Sequence, residues 1–112
     1  MDRTYQHIFT PLTIRGITLK NRNEIPPISV FDLDTTPERH PSERDMQFFR
    51  MRAMGGAAVV TLGDCIVDPS GEDSGKLASP KILAGHEDNL PFLTRIADEI
   101  HRYGAVASIE LN

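Results

Sequence analysis

Gly55 to Leu62 read Gly-Gly-Ala-Ala-Val-Val-Thr-Leu, and this short stretch decides the fold. Paired glycines stop a helix, because the backbone there can leave the right-handed region at little cost. The run Ala57 to Leu62 is apolar and partly β-branched, without polar alternation. That pattern marks a parallel strand covered on both faces. Upstream, Pro41-Ser42-Glu43-Arg44-Asp45 has the form of a helix entrance. Ser42 can cap, and Asp45 three residues on is an imperfect capping-box partner that suits the helix dipole. Met46, Phe49 and Ala53 follow at helical spacing. Downstream, Asn89-Leu90-Pro91 opens a second helix with Asn89 as its candidate cap. Leu93, Ile96, Ala97 and Ile100 form its apolar stripe, and Gly104 stops it. Ala105 to Leu111, AVASIEL, then reads as another strand.

The remaining segments fit around this helix-strand-helix-strand centre. Leu12-Thr13-Ile14 and Ile17-Thr18-Leu19 flank Arg15-Gly16 and predict a hairpin. Glu24 to Val30, EIPPISV, is a short strand whose two prolines prevent a long ladder. Gly63 to Glu87 is a long polar stretch, and a loop of that length in a compact domain usually serves function. Hairpin, strand, helix, strand, helix, strand calls for right-handed βαβ units on a parallel sheet. About three such strands would leave an open sheet edge and a bare face. The expected class is therefore α/β, with residues 1–112 as the front part of a larger parallel architecture and no second domain.

Composition narrows the function classes. The 112 residues are 39% hydrophobic and 25% charged with a formal charge of -4, values that suit a globular chain. Mild acidity gives no electrostatic footprint for nucleic acid or an anionic membrane surface. The start MDRTYQHIF lacks the basic and apolar regions of a signal peptide, and no apolar run approaches the roughly 20 residues of a membrane helix. The expected location is cytoplasmic. A single cysteine, Cys65, excludes an internal disulfide and any cluster built from this chain's cysteines alone. It reads as a loop or core thiol. His7, His40, His86 and His101 lack metal-ligand spacing and read as surface residues, so no metal site is expected. Phe92, Ile96 and Ile100 read as core.

One motif suggests hydrolysis. Ser29 to Thr36, SVFDLDTT, resembles the nucleophile loop of haloacid-dehalogenase-type phosphatases, which would make Asp32 the nucleophile and Asp34 the general acid beside magnesium. Such a loop needs a full strand before its first Asp, and Pro26-Pro27 spoils that strand. The partner residues are also misplaced: Lys76 and Lys81 fall in the long loop, and Asp98-Glu99 falls inside a helix. An exposed acidic loop is the simpler reading.

Four stretches together carry a more extensive resemblance. IFTPLTIRGITLKNR, EIPPIS, RAMGGAAVVTLGDCIVDPSG and IHRYGAVASIELN occur in the order found at the start of the Old Yellow Enzyme family of flavin-dependent reductases. The chain is most similar to the branch of NADH:flavin oxidoreductases and 2,4-dienoyl-CoA reductases. The resemblance runs from Ile8 to the end of the chain. It implies a (β/α)8 TIM barrel, of which this chain supplies the N-terminal part, with FMN at the C-terminal ends of the strands. It also implies NAD(P)H as reductant and an activated alkene or enoyl thioester as small-molecule substrate. An iron-sulfur cluster or FAD would belong only to a longer parent protein.

Position by position, the resemblance puts Pro26, Pro27, Ile28 and Ser29 along the flavin. It puts Gly63 where a small residue admits close backbone approach, and Glu110 where the family usually has a Gln facing the flavin's pyrimidine edge. Three residues depart from the family pattern: Pro26 for a small residue, Ile28 for Met and Glu110 for Gln. An ionised Glu can only accept a hydrogen bond, whereas Gln both donates and accepts. No catalytic residue is expected within the 112 residues, and the isolated chain is expected to be inactive. A non-catalytic fragment that buries its open sheet by self-association, a homo-oligomer, is the remaining alternative.

Overall fold

The computed structural model describes residues 3–28, 36, 38–68 and 81–112. After a 3-10 turn at Arg3–Phe9, β1 (Leu12–Ile14) and β2 (Ile17–Leu19) form the expected antiparallel hairpin, with Leu12 opposite Leu19 and Ile14 opposite Ile17. Arg15 and Gly16 both have positive φ, 47° and 84°, the pattern of the tight turn whose twist matches its strands. Lys20 Nζ donates to the Tyr103 carbonyl at 2.7 Å, and Asn21 Nδ2 donates to the Gly56 carbonyl at 2.7 Å. These bonds fasten the hairpin beneath the sheet, beside the C-terminal ends of both helices.

The sheet itself is parallel, in the order β3 (Glu24–Ile25), β4 (Val59–Cys65), β5 (Val106–Leu111). Pro26 and Pro27 have no N–H to offer a ladder, which explains why β3 ends after two residues. The α1 helix (Glu43–Met54) links β3 to β4, and α2 (Leu90–His101) links β4 to β5. The two helices pack side by side on one face of the sheet. Met46, Phe49 and Ala53 of α1 meet Val60 and Leu62 of β4 and Ile96 and Ile100 of α2 in one buried core. Thr61 faces the other way, where its hydroxyl donates to Glu24 Oε1 at 3.3 Å. This is the first part of a (β/α)8 barrel: helices outside, and the opposite sheet face turned toward the barrel axis.

Several expectations change in detail. The strand expected at Ala57 to Leu62 begins two residues later and continues through Gly63, Asp64 and Cys65. The long polar stretch is accordingly shorter, and it is pinned at its base by a parallel bridge between Ile66 and Leu83, with Ile66 and Ile82 buried. The capping box at α1 is complete. Ser42 Oγ accepts from Asp45 N at 3.1 Å, and Asp45 Oδ2 accepts from Ser42 N at 2.8 Å.

Asn89 does not cap α2 with its side chain. It is buried, donating through Nδ2 to the carbonyls of Leu83 (2.7 Å) and Arg39 (3.1 Å), while Oδ1 faces His40 Nδ1 at 2.6 Å. Because the Asn89 amide nitrogen already donates twice, its oxygen must accept, so His40 carries its proton on Nδ1. His40 also stacks on Phe92, with ring centroids 4.7 Å apart. It is half-buried rather than a surface residue, because this amide and this ring draw it in. His7, His86 and His101 are exposed as expected.

Candidate cofactor site at the strand ends

The C-terminal ends of the parallel strands are where a barrel of this kind carries its chemistry, and three expected site residues meet there. Pro27 follows β3, Gly63 lies in β4 and Glu110 lies in β5. A Cβ on Gly63 would stand 2.3 Å from Pro27 Cβ, 3.1 Å from Pro27 Cα and 2.9 Å from Glu110 Oε2. No real side chain fits into those distances, so the glycine is required by the approach of Pro27 and Glu110. The three residues form one continuous surface across three neighbouring strands.

Pro26, Pro27, Ile28 and Glu110 are exposed on this surface, Ile28 by 47%. A flat ring could lie against the proline and isoleucine, where the chain offers apolar atoms and no competing side chain from Gly63. The Glu110 carboxylate supplies an acceptor at one edge, suited to an N–H of the ring. These residues fit a flavin at that level of chemistry. Ser29, the fourth residue of the expected β3 segment, lies outside the described residues, as do Asp32 and Asp34 of the phosphatase motif.

Beside this surface is a group that sequence reading passed over. Asp64 Oδ2 is paired with Lys81 Nζ and also accepts from Asn112 Nδ2 at 3.1 Å. Nothing in the local sequence links Lys81 to Asp64, because the two residues lie 17 positions apart.

Cys65, next along β4, is 1% exposed. Burial first, and then the neighbouring carboxylates of Asp64, Asp45 and Glu110, push its thiol up to about 12. A thiol so protonated is a packing residue and a poor nucleophile.

The parallel βα order and the outer helices define a segment of a βα-barrel, with Pro27, Gly63 and Glu110 together at its strand ends. The chain belongs to the NADH:flavin oxidoreductase / NADH oxidase family, whose model matches residues 7–112. It is 30% identical over 100 residues to a metal reductase of Desulforamulus reducens, covering 88% of this chain and 14% of that protein. It is 32% identical over 104 residues to 4,4'-dithiodibutanoate disulfide reductase of Rhodococcus erythropolis, covering 93% of this chain and 24% of that one. The fold matches the crystal structure of Old Yellow Enzyme from Pichia sp. AKU4542 with a TM-score of 0.76 at 20% identity, over 94% of this chain and 26% of that structure. The chain thus spans under a third of the length of each of these proteins. Family membership leaves the phosphatase alternative without support. Among the described residues, no helix is long and apolar enough to cross a membrane.

Proposed function

We propose that the chain forms the first strands of an FMN-dependent oxidoreductase of the ene-reductase type, and that its own part is one side of the flavin's bed. When bound, FMN supplies hydride transfer from NAD(P)H to an activated alkene or enoyl thioester. The observation that carries this reading is the meeting of Gly63, Pro27 and Glu110 at the strand ends, where a family resemblance and a steric requirement coincide.

In this reading Pro26, Pro27 and Ile28 provide the apolar floor; Ser29 is a further candidate contact that lies outside the described residues. Pro27 is rigid, so it holds its place without losing side-chain entropy on binding. Gly63 keeps the floor continuous by adding nothing above the backbone. Glu110 orients the ring by accepting a hydrogen bond; an ionised carboxylate makes a stronger acceptor than the amide it replaces, but cannot donate. Proton transfer and substrate polarisation fall to residues from other strands of the barrel. The sheet presented by this chain covers only one side of a ring, so the 112-residue chain by itself neither turns over nor holds FMN tightly.

The test begins with the chain alone. FMN titrated into it should keep its free fluorescence, and NAD(P)H oxidation should stay at the background rate. A yellow preparation with one FMN per 112-residue chain would contradict the reading.

A further inference from the structure

The β4–β5 ladder is regular as far as Leu62 opposite Ile109, and resumes with Cys65 opposite Leu111. Between those pairs, two residues of β4, Gly63 and Asp64, stand against the single residue Glu110 of β5. An extra residue on one strand breaks the ladder locally and re-aims side chains. Gly63, at the start of this interval, stands against Pro27 and Glu110, so the register changes immediately beyond it. A ladder disturbed at this point leaves the arrangement open to support from side chains.

The holder is at hand. Asp64, on the slipped segment, is bound by Lys81 from the returning loop and by Asn112 from the end of β5. The Asp64 and Lys81 side chains are only 20% and 19% exposed, so water screens their attraction less than at an open surface. Backbone bonds flank the group: Asn112 N to Cys65 O at 2.8 Å, Val67 N to Asn112 O at 3.1 Å and Ile66 N to Ile82 O at 2.8 Å. Lys81 also offsets the charge of Asp64.

We propose that Asp64, clamped by Lys81 and Asn112, is a positioning residue that locks the slip in β4 and thereby sets Gly63 and Glu110 in the geometry of the strand-end surface. This rests on the flavin reading only for its functional consequence; the clamp itself is a property of the chain.

The experiment uses the 112-residue chain and three variants: Lys81→Met, Asp64→Asn and the charge-reversed double Asp64→Lys/Lys81→Asp. Amide hydrogen exchange and NMR chemical shifts are recorded along the whole chain. In the single variants, protection at Asn112 and Val67 should fall by about tenfold or more, the size set by one charge-assisted bond. Gly63 and Glu110 resonances should move, while the α1 and α2 amides keep their protection. The double variant should recover most of the loss. A uniform drop across both helices, an unchanged β4–β5 end, or no recovery in the double variant would each overturn the clamp.

A separate measurement addresses the flavin. In an FMN-loaded barrel containing this segment, Lys81→Met should weaken FMN binding by about tenfold, with recovery in the charge-reversed variant. If the parent barrel takes no FMN, the flavin reading falls, and the exchange experiment still decides the clamp. If FMN binds and its affinity ignores all three variants, the positioning role is wrong even though the flavin reading stands.

Discussion

Gly63 and Pro27 approach so closely that a methyl group on the glycine would sit 2.3 Å from the proline's Cβ. Carbon atoms do not pack at that distance, and a proline ring cannot rotate out of the way. Gly63→Ala should therefore force the backbone of β3 or β4 to move, costing about 1–3 kcal/mol of stability in line with other overpacked sites. Urea denaturation reads the effect. A midpoint equal to that of the unaltered chain would show that the contact is looser than described.

The buried Asn89 amide joins three groups from two loops: the carbonyls of Arg39 and Leu83, and the His40 ring. Asn89→Ala would leave these partners unsatisfied, at a cost of about 2–3 kcal/mol. Asn89→Asp should also be costly, since it replaces a double donor with an oxygen facing two carbonyls. His40→Phe, which keeps the stacking on Phe92, should lose less than Asn89→Ala. The order of the three unfolding midpoints checks this.

Ser42 closes the capping box on α1 together with Asp45. Ser42→Ala should cost about 1 kcal/mol, the usual loss for an N-cap. Helicity measured by circular dichroism near the midpoint of thermal unfolding should fall accordingly. Since Asn89 makes no such cap, Asn89 variants should act through tertiary packing, with little change in the helicity of the folded chain.

Cys65 gives a pH-dependent expectation. Its thiol is pushed up from about 9 to about 12 by burial and by Asp64, Asp45 and Glu110. Below about pH 9 both folded and unfolded chains keep the proton, and the thiol contributes no slope. Between about 9 and 12 the unfolded chain releases the proton while the folded chain retains it, so stability falls as pH rises through that window. Cys65→Ala should flatten this fall, whatever its effect at neutral pH. A thiol reagent at about pH 8 should label the folded chain slowly and the urea-unfolded chain fully; rapid labelling of the folded chain would contradict the assignment.

The fold was largely legible because its signals are local. The Arg15-Gly16 turn, the Ser42 entrance, the Gly55-Gly56 stop and the Ile96/Ile100 stripe each depend on residues a few positions apart, and each forms as read. The boundary of β4 was missed because Gly63-Asp64-Cys65 lacks β-propensity; pairing with β5 extends the strand regardless. His40 and Asn89 were misread for a related reason. Their roles arise from a contact between residues 49 positions apart, which no period reveals. Pro27, Gly63 and Glu110 became visible as a group only through family resemblance, since nothing in their spacing shows that three strands bring them together. Asp64 and Lys81 had neither kind of signal.

The most direct test of the central claim is FMN content in a completed barrel. Residues 1–112 can be grafted in place of the matching segment of the Rhodococcus erythropolis reductase, of which they cover 24%, and bound FMN measured by visible absorbance. The account predicts one FMN per graft, with Gly63→Val in the graft reducing it to background. A folded graft that holds FMN equally well with Gly63→Val, or one that holds none while the parent reductase does, would contradict it.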